Sequence, residues 1–213
     1  MSEGAAPVLV VCTGNTCRSP MMERLLAHRL AEQGVDARVT SAGTHALRGA
    51  PMTEDAGLAL DGLGVDWQPH HAEQLTDAAI EGAGLVLTAT RDHRALVVSQ
   101  VPSAVGRVFT MREFARVAGA VEAGAGGTGG PGADAAPNAT GFAPFIAAVA
   151  RARGLHPPAD PADDDLADPI GRPLDAYEAA ARLIDDAART IAGRLAAGRP
   201  ASARHPVERA DAG

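Results

Sequence analysis

Residues 8–20 of the chain read VLVVCTGNTCRSP. The first five of these residues form an uninterrupted apolar run, which is typical of a central strand in a parallel sheet. From Met22 to Gln33 apolar residues recur every three or four positions, which predicts an amphipathic helix. The polar residues between this strand and this helix therefore lie where open α/β sheets bind their ligands.

Apolar runs and helical patterns continue to alternate along the chain. This alternation is typical of a parallel sheet covered by helices on both faces. Thr53 is the expected N-cap of one helix, and Gly64 is its expected stop. We predict further strands at residues 37–41, 85–88 and 107–109, and helices at residues 53–63, 92–100, 112–119, 142–153 and 174–195. The fold class is therefore α/β.

The stretch from Ala118 to Gly141 is dominated by small residues and reads AGAVEAGAGGTGGPGADAAPNATG. It has almost no apolar surface to bury, which predicts a flexible insertion, and we expect the helix at 142–153 to be loosely attached. The predicted organisation is a single domain over residues 7–197, with a Gly/Ala/Pro-rich insertion at about 118–165 and a disordered tail at 198–213. The insertion is either a surface excursion without a role or a lid or docking arm beside the site.

The composition limits the classes of function. The chain has 26 acidic residues, 19 basic residues that are all arginine, and a net charge of -7. A general binder of nucleic acid or of membrane surfaces would show a basic excess. Two cysteines are too few for a multi-disulfide scaffold or a four-cysteine zinc site, and the apolar run at residues 7–12 is too short for a signal peptide or a membrane span. We expect a cytoplasmic protein with no nucleic-acid partner and no membrane insertion.

The spacing of Cys12 and Arg18 predicts an anion site. A short loop that turns into a helix can direct its backbone N–H groups at one anion, and Gly14 would supply the backbone freedom for such a loop. The Arg18 guanidinium carries donors that match two phosphate oxygens. Pro20 suits the first turn of the helix, where its missing N–H costs nothing. Residues 12–18 are therefore a candidate phosphate-binding loop, called the cup below.

Cys12 would lie at the floor of the cup. The helix N-terminus and Arg18 favour a thiolate there, and Ser19 can donate a hydrogen bond to the sulfur. A thiolate below a bound phosphate is a nucleophile. The alternative is that Cys12 is a small buried hydrophobic residue at the end of a strand.

The segment VCTGNTCRSP resembles the low-molecular-weight protein-tyrosine-phosphatase family, whose signature is a Cys-x5-Arg-Ser loop near the N-terminus. The resemblance covers residues 7–117 and 166–197. It implies a three-layer α/β/α fold of the phosphotyrosine protein phosphatase I-like type, with a four-stranded parallel sheet in the order 2-1-3-4. The other matching segments are SAGT at 41–44, LVLTATRDH at 85–93, VFTMREF at 108–114 and Asp168-Pro169.

The resemblance implies a role for each candidate residue. Cys12 would attack phosphorus and form a phosphocysteine, and Asp168 would protonate the leaving group and then deprotonate the attacking water. No metal or cofactor is required, since arginine and backbone amides supply the positive potential. The partner would be a phosphorylated protein. Arg18 would hold the phosphoryl oxygens together with Thr13, Gly14, Asn15, Thr16, Cys17 and Ser19.

The family pattern also implies that Asn15 braces the loop through contacts with Ser41 and with a histidine. His70 is the best match for that histidine. His71 is adjacent in the sequence, and the alternative for the two histidines is a plain surface pair.

Two more residues have two interpretations each. Asp160 starts a second Asp-Pro pair, but Asp168 is preferred as the general acid because it comes directly before the last predicted helix. The resemblance allows Cys17 to form a protective disulfide with Cys12 under oxidation. The alternative for Cys17 is packing beneath the loop.

Three positions bear on the choice of substrate. Thr16, Leu47 and Ile170 stand where family members that act on phosphotyrosine often carry larger or aromatic residues. A threonine hydroxyl suits a substrate with a guanidinium group better than an aromatic ring, and the loop is also similar to that of bacterial protein-arginine phosphatases. We expect phosphotyrosine hydrolysis first and phosphoarginine hydrolysis second.

Two other functions fit the cup less well. Arsenate fits the same oxyanion site, but thioredoxin-coupled arsenate reduction needs two further cysteines, and none follows Cys17. A silent phosphate-binding module would have no use for Cys12 below the phosphate or Asp168 opposite it. The sequence therefore favours a hydrolytic enzyme.

Overall fold

Strand β1, Val8–Cys12, lies at the centre of the sheet, and all five of its residues are buried. It pairs in parallel with β2, Val39–Gly43, on one side and with β3, Leu85–Thr88, on the other. The edge strand β4, Val108–Thr110, pairs in parallel with β3. This computed structural model therefore contains a four-stranded parallel sheet in the order β2-β1-β3-β4, which confirms the predicted fold class and strand order.

The structure describes residues 7–67, 69–121 and 142–197. Within this part of the chain, no helix is long and apolar enough to cross a membrane. The α-helices are α1, Arg18–Glu32; α2, Glu54–Asp61; α3, Asp77–Gly82; α4, Arg91–Gln100; α5, Met111–Ala120; α6, Ala143–Ala152; and α7, Leu174–Ala197. Short 3-10 helices cover Pro102–Arg107, Arg153–Leu155 and Pro161–Asp164.

Different helices cover the two faces of the sheet. Successive residues of a strand point to opposite faces. Val8, Val10 and Cys12 belong to a larger core with α1, α2, α5, α6 and α7. Leu9 and Val11 belong to a smaller core with α3 and α4. Full burial of a Val or Leu side chain contributes about 1.5–3 kcal/mol. Because its alternate residues are buried in different cores, β1 stabilises the packing of helices on both faces of the sheet.

A buried ion pair joins α7 to α1, the helix that begins at the cup. Arg29 of α1 donates to Asp185 of α7 through Nε at 2.6 Å and Nη2 at 3.0 Å. Removing one partner of such a pair costs about 3–5 kcal/mol, because the other charge is left buried. The pair fixes how α7 packs on α1.

Helix α6 is part of the larger core, which corrects the prediction that it is loosely attached. Phe145 and Val149 are buried, because positions four apart lie on the same side of a helix. The Phe145 ring lies edge-on to Phe114 of α5, with 6.5 Å between the ring centroids. Just after α6, the Arg153 guanidinium lies 4.1 Å from the centroid of the Phe109 ring. The four buried apolar residues of α6 lie on one face of the helix and hold it in the core, although the segment before it is of low complexity.

The predicted insertion at about 118–165 therefore contributes its C-terminal part to the core. Residues 122–141 lie outside the described residues, as does the predicted tail at 198–213. The boundaries of the single domain and the role of the insertion stay predictions.

Some predicted element boundaries are wrong by a few residues. Helix α1 begins at Arg18 rather than Met22, because the cup turns directly into the helix. Strand β2 lies two residues later than predicted. Helix α3 has no predicted counterpart, since Ile80 is its one buried residue and leaves no helical pattern. Thr53 occupies the N-cap position of α2, but its side chain makes no capping hydrogen bond.

Candidate active site

The cup connects the end of β1 to the start of α1, and its backbone reverses at Asn15. Asn15 has a φ of 55°, in the left-handed region that asparagine enters more readily than most residues. The sequence assigned this freedom to Gly14, which is wrong, because Gly14 has no positive φ. A Cβ placed on Gly14 would meet Thr16 Oγ1 at 3.5 Å, an ordinary contact. The turn of the cup therefore depends on Asn15.

Gly43, at the end of β2, is the glycine that the cup requires. A Cβ on Gly43 would lie 2.4 Å from the Thr13 carbonyl oxygen and 3.0 Å from the Asn15 backbone nitrogen. The segment after Gly43 then supports the cup from behind. Its backbone N–H groups donate to the carbonyl oxygens of Cys12, Thr13 and Gly14 at 2.9–3.0 Å. Because these carbonyls point away from the site, the loop amides are free to face an anion.

The Asn15 side chain is fully buried and holds the loop at several points. Its Nδ2 donates to Ser19 Oγ and to Ser41 Oγ, each at 2.9 Å. His70 Nε2 donates to the Asn15 carbonyl oxygen at 2.8 Å, whereas His71 is exposed. The structure therefore brings Asn15, Ser41 and His70 together as the resemblance implied, and it distinguishes His70 from its neighbour.

The Ser19 hydroxyl lies within hydrogen-bond distance of the Cys12 sulfur. The distance between Cys12 Sγ and Ser19 Oγ is 3.0 Å, and both residues are buried. Ser19 Oγ accepts from the Asn15 amide, so its own hydrogen remains for another partner. That hydrogen has two acceptors within reach, the Ala42 carbonyl at 3.4 Å and the Cys12 sulfur at 3.0 Å. Donated to the sulfur, it would stabilise negative charge there, as a thiolate nucleophile requires.

Arg18 joins the cup to Asp168. Its Nη2 donates to Asp168 Oδ2 at 2.6 Å, and its Nη1 donates to the Leu166 carbonyl at 3.2 Å. Arg18 is buried, whereas the Asp168 side chain is 49% exposed. The carboxylate thus lies at the open side of the cup, where a leaving group would depart. Helix α7 begins at Leu174, so Asp168 lies on a loop rather than directly at the helix start.

Asp160 has a different environment from Asp168. It is exposed and accepts a hydrogen bond from the Ala162 N–H at 2.8 Å, as the N-cap of the 3-10 helix Pro161–Asp164. This is the turn role that competes with catalysis for an Asp-Pro pair. Of the two candidate aspartates, Asp168 is the one that contacts the cup.

Cys17 is part of the cup, and its side chain is buried in the larger core. Burial first, and then the nearby Cys12 and Asp168, raise the pKa of Cys17 to about 12. Cys17 is therefore a neutral thiol at neutral pH. Both cysteines are free in the structure.

Of the three residues expected at the substrate walls, Thr16 is part of the cup, and Leu47 and Ile170 lie in other segments. Thr16 is buried, and its carbonyl accepts from the Thr53 N–H at 2.8 Å. Leu47 and Ile170 are 62% and 51% exposed. The Leu47 N–H donates to the Gly14 carbonyl, and Ile170 follows the Asp168-Pro169 pair, so both residues belong to segments that contact the cup.

His93 contacts the cup and has no counterpart among the predicted site residues. Its Nε2 lies 2.8 Å from Thr13 Oγ1, and its Nδ1 lies 2.6 Å from Thr90 Oγ1. Burial lowers the pKa of His93, and the charge of Arg18 lowers it further. His93 lies in the first turn of α4, after β3, which pairs with β1. The rule that selected Cys12, that ligands bind at the carboxyl ends of parallel strands, would have pointed to this turn as well.

A family model described as low molecular weight phosphotyrosine protein phosphatase matches residues 7–126. A protein-arginine-phosphatase of Geobacillus stearothermophilus is 30% identical over 189 residues, which are 89% of this chain and 93% of that protein. The probable low molecular weight protein-tyrosine-phosphatase EpsP of Ralstonia solanacearum is 40% identical over 106 residues, which are 50% of this chain and 70% of that protein. A solved structure of a YwlE mutant from Bacillus subtilis has a TM-score of 0.64 at 26% identity, covering 90% of this chain and 99% of that one.

Proposed function

Because the chain belongs to the low molecular weight phosphotyrosine protein phosphatase family, we propose that it hydrolyses phosphotyrosine in phosphorylated proteins through a phosphocysteine on Cys12. One geometric observation carries the assignment of residues. Cys12 Sγ lies 3.0 Å from Ser19 Oγ at the floor of the cup, and Arg18, at the other end of the cup, lies 2.6 Å from the Asp168 carboxylate. These two contacts support the assignment of Cys12 as the nucleophile, Arg18 as the anion clamp and Asp168 as the proton donor.

In the first step the Cys12 thiolate attacks phosphorus, the S–P bond forms and the bond from phosphorus to the tyrosyl oxygen breaks. Asp168 gives its proton to the departing oxygen. Arg18 and the amides of residues 13–18 hold the three equatorial oxygens, where the charge of the transition state lies. The buried Asn15 network keeps those amides in place.

In the second step water attacks the phosphocysteine, and the Asp168 carboxylate takes a proton from that water. The S–P bond breaks, inorganic phosphate leaves and Cys12 returns as a thiolate stabilised by Ser19. The chemistry needs no metal or cofactor. It needs a reduced Cys12, which favours a reducing compartment such as the cytoplasm.

Phosphoarginine hydrolysis is the second candidate activity. It is supported by the threonine at position 16, by the aliphatic Leu47 and Ile170 beside the site, and by the similarity to a protein named as a protein-arginine-phosphatase. Thr16→Ile should raise turnover of phosphotyrosyl peptides and lower turnover of phosphoarginyl peptides. Equal effects on both substrates would remove Thr16 from the account of specificity.

The test is a comparison of kcat/KM for phosphotyrosyl and phosphoarginyl peptides of the same sequence. We expect the phosphotyrosyl peptide to be the better substrate, and Cys12→Ser to lower turnover by about 10⁴-fold or more, as loss of a covalent nucleophile does. A wild type that is no faster than Cys12→Ser on either peptide would favour a silent phosphate-binding module.

A further inference from the structure

Arginines of α4 and α5 hold residues 164–168, called the acid loop below because it ends at Asp168. Arg116 of α5 binds Asp164 through both carboxylate oxygens, and Arg112 donates to the Asp165 carbonyl at 3.1 Å. The third contact, from Arg91 of α4 to Asp165, has the largest set of hydrogen bonds.

Arg91 binds Asp165 with both its side chain and its backbone. The Arg91 backbone N–H donates to Asp165 Oδ1 at 2.7 Å. Its Nε lies 3.2 Å from each carboxylate oxygen, and its Nη2 donates to Oδ2 at 2.9 Å. Burial of Asp165 opposes its ionisation, but the hydrogen bonds from Arg91 outweigh it and lower the pKa of Asp165. Such a forked contact fixes direction as well as distance.

The path from Asp165 to Asp168 is short and fixed at its middle. Leu166 is buried, its N–H donates to the Ala89 carbonyl at 2.8 Å, and its own carbonyl accepts from Arg18. Ala89 directly follows β3, and Arg91 opens α4. The acid loop therefore lies along the turn between β3 and α4.

The same first turn of α4 also contacts the nucleophile side of the site. His93 in this turn lies 2.8 Å from Thr13 of the cup. One short rigid segment thus contacts the loop that carries Cys12 through His93 and the loop that carries Asp168 through Arg91.

We propose that Arg91 is a positioning residue for the general acid: by holding Asp165, it fixes Asp168 at the open side of the cup. The inference rests on the proposed phosphatase function. Arg91 acts through Asp165 and touches neither the phosphoryl group nor the leaving group.

The test compares two aryl phosphates whose leaving groups differ in their need for a proton. Phenolate is a poor leaving group, whereas 2,4-dinitrophenolate departs without help. Arg91→Ala should lower kcat/KM for phenyl phosphate by about tenfold, a part of the about 10²- to 10⁴-fold that a general acid supplies. It should leave kcat/KM for 2,4-dinitrophenyl phosphate within about twofold of wild type, because binding and nucleophilic attack are untouched.

Two further variants keep the test decisive. Asp165→Asn, which keeps the shape of the side chain, should reproduce the selective loss, and the double variant should lose no more than the single ones. Arg94→Ala is the control, because it removes the same charge from the same helix, where Arg94 faces Glu113. It should leave the ratio of kcat/KM between the two aryl phosphates unchanged.

Three results would overturn the inference. The first is an equal loss of kcat/KM on both aryl phosphates in Arg91→Ala. The second is a folded Arg91→Ala or Asp165→Asn variant whose ratio of kcat/KM between the two aryl phosphates equals that of the wild type. The third is a selective loss on phenyl phosphate in Arg94→Ala that is as large as in Arg91→Ala. If the wild type hydrolyses neither substrate, the proposed function fails instead, so the two failures are distinguishable.

Discussion

The cup and the acid loop face each other across the site, but different interactions hold them. The cup depends on a buried asparagine, a close approach by Gly43 and backbone hydrogen bonds. The acid loop depends on the backbone hydrogen bonds of the buried Leu166 and on arginine–aspartate pairs, of which Arg91 with Asp165 is partly exposed. Buried hydrogen bonds in a low-dielectric interior are costly to break, whereas exposed ion pairs contribute little to stability. The nucleophile is therefore built into the fold, while the acid is held in part by an ion pair that affects geometry more than stability.

The largest effect on stability is expected at Asn15. Asn15→Ala loses three side-chain hydrogen bonds and forces a left-handed alanine, so the free energy of unfolding should fall by about 3 kcal/mol. Asn15→Gly should cost about 1–2 kcal/mol less, because glycine adopts this φ freely. Denaturant unfolding of both variants measures the difference.

Arg91→Ala, in α4, is the matched variant for the acid loop. Its ion pair is partly exposed, so the free energy of unfolding should fall much less than it does for Asn15→Ala. Equal losses for Asn15→Ala and Arg91→Ala would contradict the contrast between the two loops.

A second prediction compares two glycines at the cup. Gly43→Ala places a Cβ against backbone atoms that cannot move away, and should lower the free energy of unfolding by about 1–3 kcal/mol. Gly14→Ala makes only an ordinary contact at a φ that alanine tolerates, and should stay within about 1 kcal/mol of wild type. Thermal or denaturant unfolding of the pair checks this, and a more damaging Gly14→Ala would show that the cup turns at a different residue.

The smallest effect concerns His93, which lies between the two loops. Its folded-state pKa is lowered, first by burial and then by Arg18, while Asp168, Asp92 and Asp165 oppose the shift. The unfolded chain therefore binds the proton more readily. Stability is fully present above the ordinary histidine pKa of about 6.5 and falls as the pH drops through it.

His93→Gln should remove the contribution of His93 to the pH dependence of stability. Between about pH 7 and pH 5, the free energy of unfolding should then fall less steeply than in wild type. The difference between the two slopes should be a fraction of about 1.4 kcal/mol per pH unit. The measurement is denaturant unfolding at several pH values. Identical slopes for the two proteins would show that His93 gains its proton as easily in the fold as outside it.

The sequence was sufficient for the features that depend on local order. The apolar run of β1, the Cys12–Arg18 spacing and the helix that follows are contiguous, so the cup and the parallel sheet could be predicted. Asp168 was separable from Asp160 only through the resemblance, and the structure supplies the physical difference: one contacts Arg18, the other caps a turn.

The features that the sequence analysis missed have different causes. The need for glycine at position 43 arises from the backbone of a loop about 30 residues earlier, and no local pattern records such an approach. His93 becomes a neighbour of Thr13 only because β3 pairs with β1. Helix α6 was judged by its low-complexity surroundings, although Phe145 and Val149 are spaced to pack on one side.

The most direct test of the central claim is detection of the covalent intermediate. Asp168→Ala, which slows hydrolysis of the intermediate, is mixed with a phosphotyrosyl peptide, quenched in acid and digested for mass spectrometry. We predict one phosphoryl group on Cys12, and none when Cys12→Ala is added to the same variant. Turnover by the wild type without a phosphoryl group on Cys12, or with one on a different residue, would contradict the account.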